Sequence, residues 1–177
     1  DRAGATGKAS ENQPMMVKEA LEYLDDGAKE DKPFFLYCPG CPPHSPIVPA
    51  GEFVGKSGIQ GKEGKYGDWV YQGDDMLGQI MEALKRNGQD KNTLLIATGD
   101  NGAAGRSYEP LRDNKSSIYE GGHREPFVAR WQGKIKPGAT SDQVICLNDL
   151  FAPCADMLGK HLPPAATDDS VRIVLGW

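Results

Sequence analysis

Met16, Val17, Ala20, Leu21 and Leu24 recur at helical spacing behind Pro14, a residue tolerated in a first turn, so the pattern predicts a helix from about Met15 to Ala28. Pro33 then opens Phe34-Phe35-Leu36-Tyr37, which reads as an apolar strand. A Pro/Gly-rich stretch follows to about Tyr66, and loops of that length in a compact domain usually carry function or are disordered. Met76, Leu77, Ile80, Met81 and Leu84 make a second apolar stripe, predicting a helix from about Asp74 to Asn87 with Gly88 as its stop signal. Thr93 to Thr98 is almost wholly apolar and suits a strand buried on both faces of a parallel sheet. Phe127 to Trp131 forms another such run. Farther on, Leu147, Leu150, Phe151, Cys154 and Leu158 form a helical stripe ending at Gly159, kinked at Pro153 unless that proline lies in the first turn.

The order helix, strand, loop, helix, strand is that of an α/β layered sheet. Right-handed crossovers would place both strands' C-terminal ends on one edge, where open α/β sheets bind ligands. The loop carrying His44 and the turn carrying Asp100 could therefore converge. Residues 1–13 are polar and glycine-rich, and read as an unpacked end or linker remnant.

Composition narrows the class. With 177 residues, 38% hydrophobic and 25% charged, the chain is long enough for one core-bearing domain. No apolar run approaches membrane-spanning length, and the net charge of -5 argues against a general nucleic-acid binder. The chain opens at Asp1 with no visible targeting signal, so either something has been removed or this is a piece of a longer protein. Cys38-Pro-Gly-Cys41 resembles a redox pair, but Pro42, Pro43 and Pro46 deny it the helix that lowers a thiol's pKa. Cys146 and Cys154 lack the short spacing of a zinc site.

The chemistry concentrates between Gly99 and Arg124. Asp100 and Asn101 offer two oxygen donors on a glycine-flanked turn, the ligand type that a hard divalent cation takes, although an Asx-type turn or helix cap would use the same residues. His44 on its proline-stiffened loop and Lys115 each have a bland reading as exposed polar side chains.

Gly99-Asp100-Asn101-Gly102, Leu111-Arg112-Asp113-Asn114-Lys115, then YEGGHREPFVARWQGKIKPGATSD and, upstream, PFFLYCPGCPPHSPIVP together resemble the formylglycine-dependent sulfatases, over roughly Val17 to Ser170. Each piece is weak alone, whereas their joint order is specific. The resemblance implies an alkaline-phosphatase-like layered sheet with flanking helices, here incomplete, with residues 14–170 as a partial sulfatase catalytic domain and 171–177 as a divergent tail. It implies that Asp100 and Asn101 are calcium ligands. His44 corresponds to the family's histidine at the sulfate and leaving-group oxygen, and Lys115 to its sulfate-binding lysine. Glu120 could orient Lys115 or Arg124, while His123 and Arg124 fit supporting roles. Asp113-Asn114 departs from the glycine common before that lysine, and Gly99 replaces the usual Ser or Thr.

The family's nucleophile is a cysteine in Cys-x-Pro/Ala-x-Arg, oxidised to formylglycine. None of Cys38, Cys41, Cys146 and Cys154 has Arg four residues later, so formylglycine is expected upstream of residue 1 and the chain alone is expected to be inactive. The implied partner is a sulfated small molecule or sulfated glycan, in an extracytoplasmic location. A phosphodiester or phosphonate hydrolase of the same superfamily and a non-catalytic remnant that binds sulfated glycans are the competing readings.

Overall fold

The computed structural model describes residues 8–106, 109–163 and 166. The chain separates into two compact units, Asp1–Arg130 and Trp131–Trp177.

Within the first unit, helix α1 (Ala9–Gly27) begins six residues earlier than its apolar spacing implied. Five residues of the stretch read as unpacked therefore belong to α1, and Gln13 is fully buried. Helix α2 (Gly64–Arg86) likewise starts ten residues before the Asp74 start that its hydrophobic stripe implied. Contacts run in the same order along the two helices: Gln13 Nε2, near the start of α1, meets Met76 Sδ, at the middle of α2, at 3.1 Å. At their ends, Asp25 accepts from Arg86 at 2.6 Å and from Asn87 Nδ2 at 2.9 Å. The helices therefore lie parallel, as helices on one face of a layered fold do. Their seam is the core, Leu24, Ile80, Ala83 and Leu84, with Leu21, Phe34, Leu36, Cys38, Met76 and Leu95 packed against it. Truncating a side chain such as Leu84, 2% exposed, to Ala should cost about 2–5 kcal/mol.

The strands depart from expectation. Strand β1 (Leu95–Thr98) pairs antiparallel with β2 (Phe127–Arg130), with Leu95 opposite Arg130 and Thr98 opposite Phe127. The sheet among the described residues has these two strands only, and β1 is half-buried, not sealed on both faces of a parallel sheet. The segment Phe34 to Tyr37 joins no ladder among the described residues. Its alternation is strand-like: Phe34, Leu36 and Cys38 face the core, while Phe35 and Tyr37 stand out at 83% and 76% exposure. The apolar pattern specified an extended backbone, but hydrogen-bond pairing needs a neighbour that the pattern does not name.

In the second unit, a 3₁₀ turn (Leu147–Leu150) leads into helix α4 (Phe151–Met157). Pro153 lies in its first turn, where its missing N–H costs nothing. The predicted stripe is not the buried face. Leu147, Phe151 and Leu158 are exposed, while Ala152, Pro153 and Ala155 are buried.

Candidate active site

The Asp100-Asn101 turn leaves the C-terminal end of β1, and three glycines lock it against two neighbouring segments. Gly102 N–H donates to the Gly122 carbonyl at 3.0 Å, and Gly121 N–H donates to the Arg112 carbonyl at 2.9 Å. A Cβ on Gly102 would collide with the Gly121 carbonyl, one on Gly121 with the Asp113 carbonyl, and one on Gly122 with the Ser117 carbonyl. The single helical turn α3 (Glu120–His123) is thus wedged between the Asp100 turn and the loop that carries Lys115. Only hydrogen fits at those three α-carbons.

The Lys115 loop bends through Asp113 and Ser116, both left-handed at φ 67° and φ 71°. Asp113 Oδ1 accepts from the next backbone N–H at 2.9 Å, the local bond that lets Asp hold a conformation otherwise given to glycine. The left-handed residues are thus Asp113 and Ser116, whereas Asn114, which stands where glycine is common before the lysine, is not left-handed. Arg112 stacks on the Tyr119 ring at 3.5 Å, and Glu120 pairs with Arg124 at 3.2 Å rather than with Lys115. His123 lies 3.7 Å from Glu120.

His44 is held from the other side. Gln13, Asp68, Trp69 and Gln72 project from α1 and α2 into the proline-rich loop and bond its backbone. Gln13 Oε1 accepts from Cys41 N–H at 2.8 Å, and Gln72 Oε1 accepts from Ala50 N–H at 2.9 Å. Asp68 accepts from Gly55 N–H, Ser57 N–H and the Ser57 hydroxyl at 2.7 to 2.9 Å. The Gly55 amide first, then the Ser57 amide and hydroxyl, hold the Asp68 carboxyl below its ordinary value. Trp69 Nε1–H donates to the His44 carbonyl at 2.9 Å. The exposed His44 ring lies with Nδ1 2.5 Å from the Ser45 carbonyl. A carbonyl only accepts, so Nδ1 carries the proton and Nε2 is the nitrogen left for other partners.

Among the described residues no hydrogen bond or ion pair links His44 with Asp100, Asn101 or Lys115. Nor do three or more His, Cys, Asp or Glu side chains gather there around a possible metal position. The structure joins the Asp100 turn to the Lys115 loop and fixes His44 separately. Glu125, which the sequence reading passed over, stands beside Asp100: burial first, and then the Asp100 charge, raise its carboxyl above the usual range. Burial pushes the Cys38 thiol up, with Cys41 adding to the shift, whereas a thioredoxin-type nucleophile needs the opposite.

A family model named Sulfatase matches residues 10–160. The chain belongs to the sulfatase family. The mouse (Mus musculus) N-acetylgalactosamine-6-sulfatase is 34% identical over 176 residues, 96% of this chain but 33% of that protein. Human arylsulfatase A is 35% identical over 165 residues, 89% of this chain and 32% of its own length. A solved structure of Ps i-CgsB in complex with k-i-k-neocarrahexaose superposes with a TM-score of 0.84 at 29% identity, covering 90% of this chain and 37% of that one. This sulfatase chain thus spans about a third of the length of the curated relatives it matches.

Proposed function

We propose that this chain supplies the His44, Lys115, Asp100 and Asn101 portion of a sulfatase active site that cleaves sulfate esters to an alcohol and inorganic sulfate. The observation that carries the reading is the glycine interlock that joins the Asp100-Asn101 turn to the Lys115 loop. An anion site needs a cation-binding turn and a fixed ammonium at neighbouring positions, and the interlock fixes those two backbones against each other.

Asp100 and Asn101 fit part of a calcium shell by donor type, since both offer oxygen from one turn, but calcium takes six to eight oxygens and the rest lie outside this pair. Bound calcium would supply positive charge to the sulfate oxygens. Lys115 would add its ammonium to a sulfate oxygen and offset charge that grows in the transition state. His44 would act through Nε2 and pass a proton to the departing oxygen as the O–S bond breaks, because Nδ1 is engaged by Ser45. The nucleophile, a formylglycine hydrate, belongs to the Cys-x-Pro/Ala-x-Arg segment that these 177 residues do not contain.

The proposed fold of the whole catalytic domain is an alkaline-phosphatase-like layered sheet, with residues 14–170 contributing part of it. The outward Phe35 and Tyr37 on a segment that joins no ladder among the described residues support this reading, since such a segment is suited to pairing within a larger sheet. A sulfated glycan is the proposed substrate class, supported by relatives named for N-acetylgalactosamine-6-sulfate and a neighbour solved with neocarrahexaose. No helix among the described residues is long and apolar enough to cross a membrane, and calcium use fits an extracytoplasmic location.

The test is sulfate release by the full-length protein from a panel of sulfated mono- and oligosaccharides, with and without a calcium chelator. Chelator-sensitive release that vanishes in Lys115→Ala supports the reading. Release of phosphate from phosphodiesters with no sulfate release would move the protein to the phosphoryl branch of the superfamily, and glycan binding without turnover would make it a lectin-like remnant.

A further inference from the structure

We propose that Trp69 is a positioning residue for His44, acting through the peptide plane that follows the histidine. The inference rests on the reading of His44 as the residue at the leaving oxygen. Trp69 is 1% exposed, and its indole N–H reaches across twenty-five residues of sequence to the His44 carbonyl at 2.9 Å. A buried indole N–H without an acceptor is costly, so this bond is held by the fold rather than by the loop. From the other side, His44 N–H donates to the Cys41 carbonyl at 2.9 Å. Both backbone polar groups of His44 are therefore fixed while its side chain stays exposed.

That arrangement determines where the ring's proton sits. The peptide plane between His44 and Ser45 is pinned at its oxygen by Trp69, and the next carbonyl, that of Ser45, faces Nδ1. With the plane fixed, Nδ1 remains the donor and Nε2 remains the nitrogen that can face a substrate. Without the indole N–H the plane can rotate, the Ser45 carbonyl leaves the ring, and the imidazole is free to exchange tautomers. A misplacement of about 1 Å at a proton-transfer group is enough to slow chemistry by about a hundredfold.

The other loop clamps do not share this position. Gln13 acts before the histidine, at Cys41 N–H, and Asp68 and Gln72 act well past it, at Gly55, Ser57 and Ala50. They hold the loop, while Trp69 holds the residue.

The experiment uses the full-length protein with ¹⁵N-labelled histidine, as parent, as Trp69→Phe, and with 3-benzothienylalanine at position 69, an isostere whose sulfur cannot donate. The expected result in both variants is a fall in kcat of about tenfold or more with KM within about twofold. The His44 ring should pass from a fixed Nδ1-protonated signature to averaged nitrogen shifts. If Trp69→Phe fails to fold, the isostere carries the test, because it preserves the shape. Two outcomes overturn the proposal: unchanged kcat and unchanged His44 nitrogen shifts, or a loss of activity that follows a loss of Tm while the Nδ1 signature persists. A parent protein with no sulfate-ester turnover would refute the catalytic reading alone, and the nitrogen shifts would still decide whether Trp69 sets the ring.

Discussion

Glu125 lays its carboxylate over Gly99, where Oε2 takes the place that a Cβ on residue 99 would need, and Oε1 is buried with no hydrogen-bond partner among the described residues. The glycine that stands before Asp100 is thus matched to the acid that follows His123-Arg124. The colliding atom is the end of a flexible side chain, so Gly99→Ala should push Glu125 outward at a cost below about 1 kcal/mol. Gly102→Ala and Gly121→Ala meet backbone carbonyls that cannot swing away, and each should cost about 3 kcal/mol. Urea unfolding of the three variants checks the order, and equal losses would contradict the distinction.

Acid should release the loop through Asp68. Its carboxyl is depressed in the fold by the Gly55 and Ser57 donors, so the folded protein favours the charged form. That stabilisation is complete above the ordinary aspartate value and is lost as pH falls through the depressed one. Amide exchange at Gly55 and Ser57, measured as pH drops below about 4, should accelerate before global unfolding. Asp68→Asn should show the faster exchange already at neutral pH.

Asp113 holds a left-handed backbone with its own side-chain bond. Replacing it by glycine removes the conformational cost and the bond together, so Asp113→Gly should change stability by less than about 0.5 kcal/mol. Asp113→Val keeps the strain and adds a branched Cβ, and should cost about 1–3 kcal/mol. Thermal melts of the pair distinguish this from a site where the carboxylate itself is required.

Purified residues 1–177 should release no sulfate in the presence of calcium, because the nucleophile segment is not among them. In the full-length protein, Asp100→Ala should weaken calcium binding, read by isothermal titration, more than Asn101→Ala does, since a carboxylate contributes charge as well as an oxygen. Turnover by 1–177, or calcium affinity indifferent to Asp100, would count against the assigned roles.

Much of this was visible in the chain. The helices around Val17 to Leu24 and Met76 to Leu84, the runs that became β1 and β2, and the turn after β1 follow from apolar spacing and glycine placement, whereas Phe34 to Tyr37 joined no ladder among the described residues and the lysine loop was singled out by the family resemblance. The helix starts were missed because Gln13, Asp68 and Gln72 are polar, and polar residues read as loop. A finer signal was present in α2: Asp68, Gln72, Met76, Ile80 and Leu84 fall at every fourth position, so the two polar members continue the inward stripe. A polar side chain on an apolar stripe must find a partner, and here the partner is the loop backbone. The antiparallel pairing of β1 with β2 was not legible, because alternation sets which face a residue takes and not which strand lies beside it. The clash that gives Gly121 and Gly122 their meaning lies in carbonyls brought close only by folding.

Helix α2 carries two duties along one stripe: its first half grips the His44 loop, and its second half closes the core against Leu24. A loss of order that starts in either half is felt in the other. Heat inactivation and melting should therefore share one activation barrier, and a graft that moved the loop to another scaffold would have to take the helix with it.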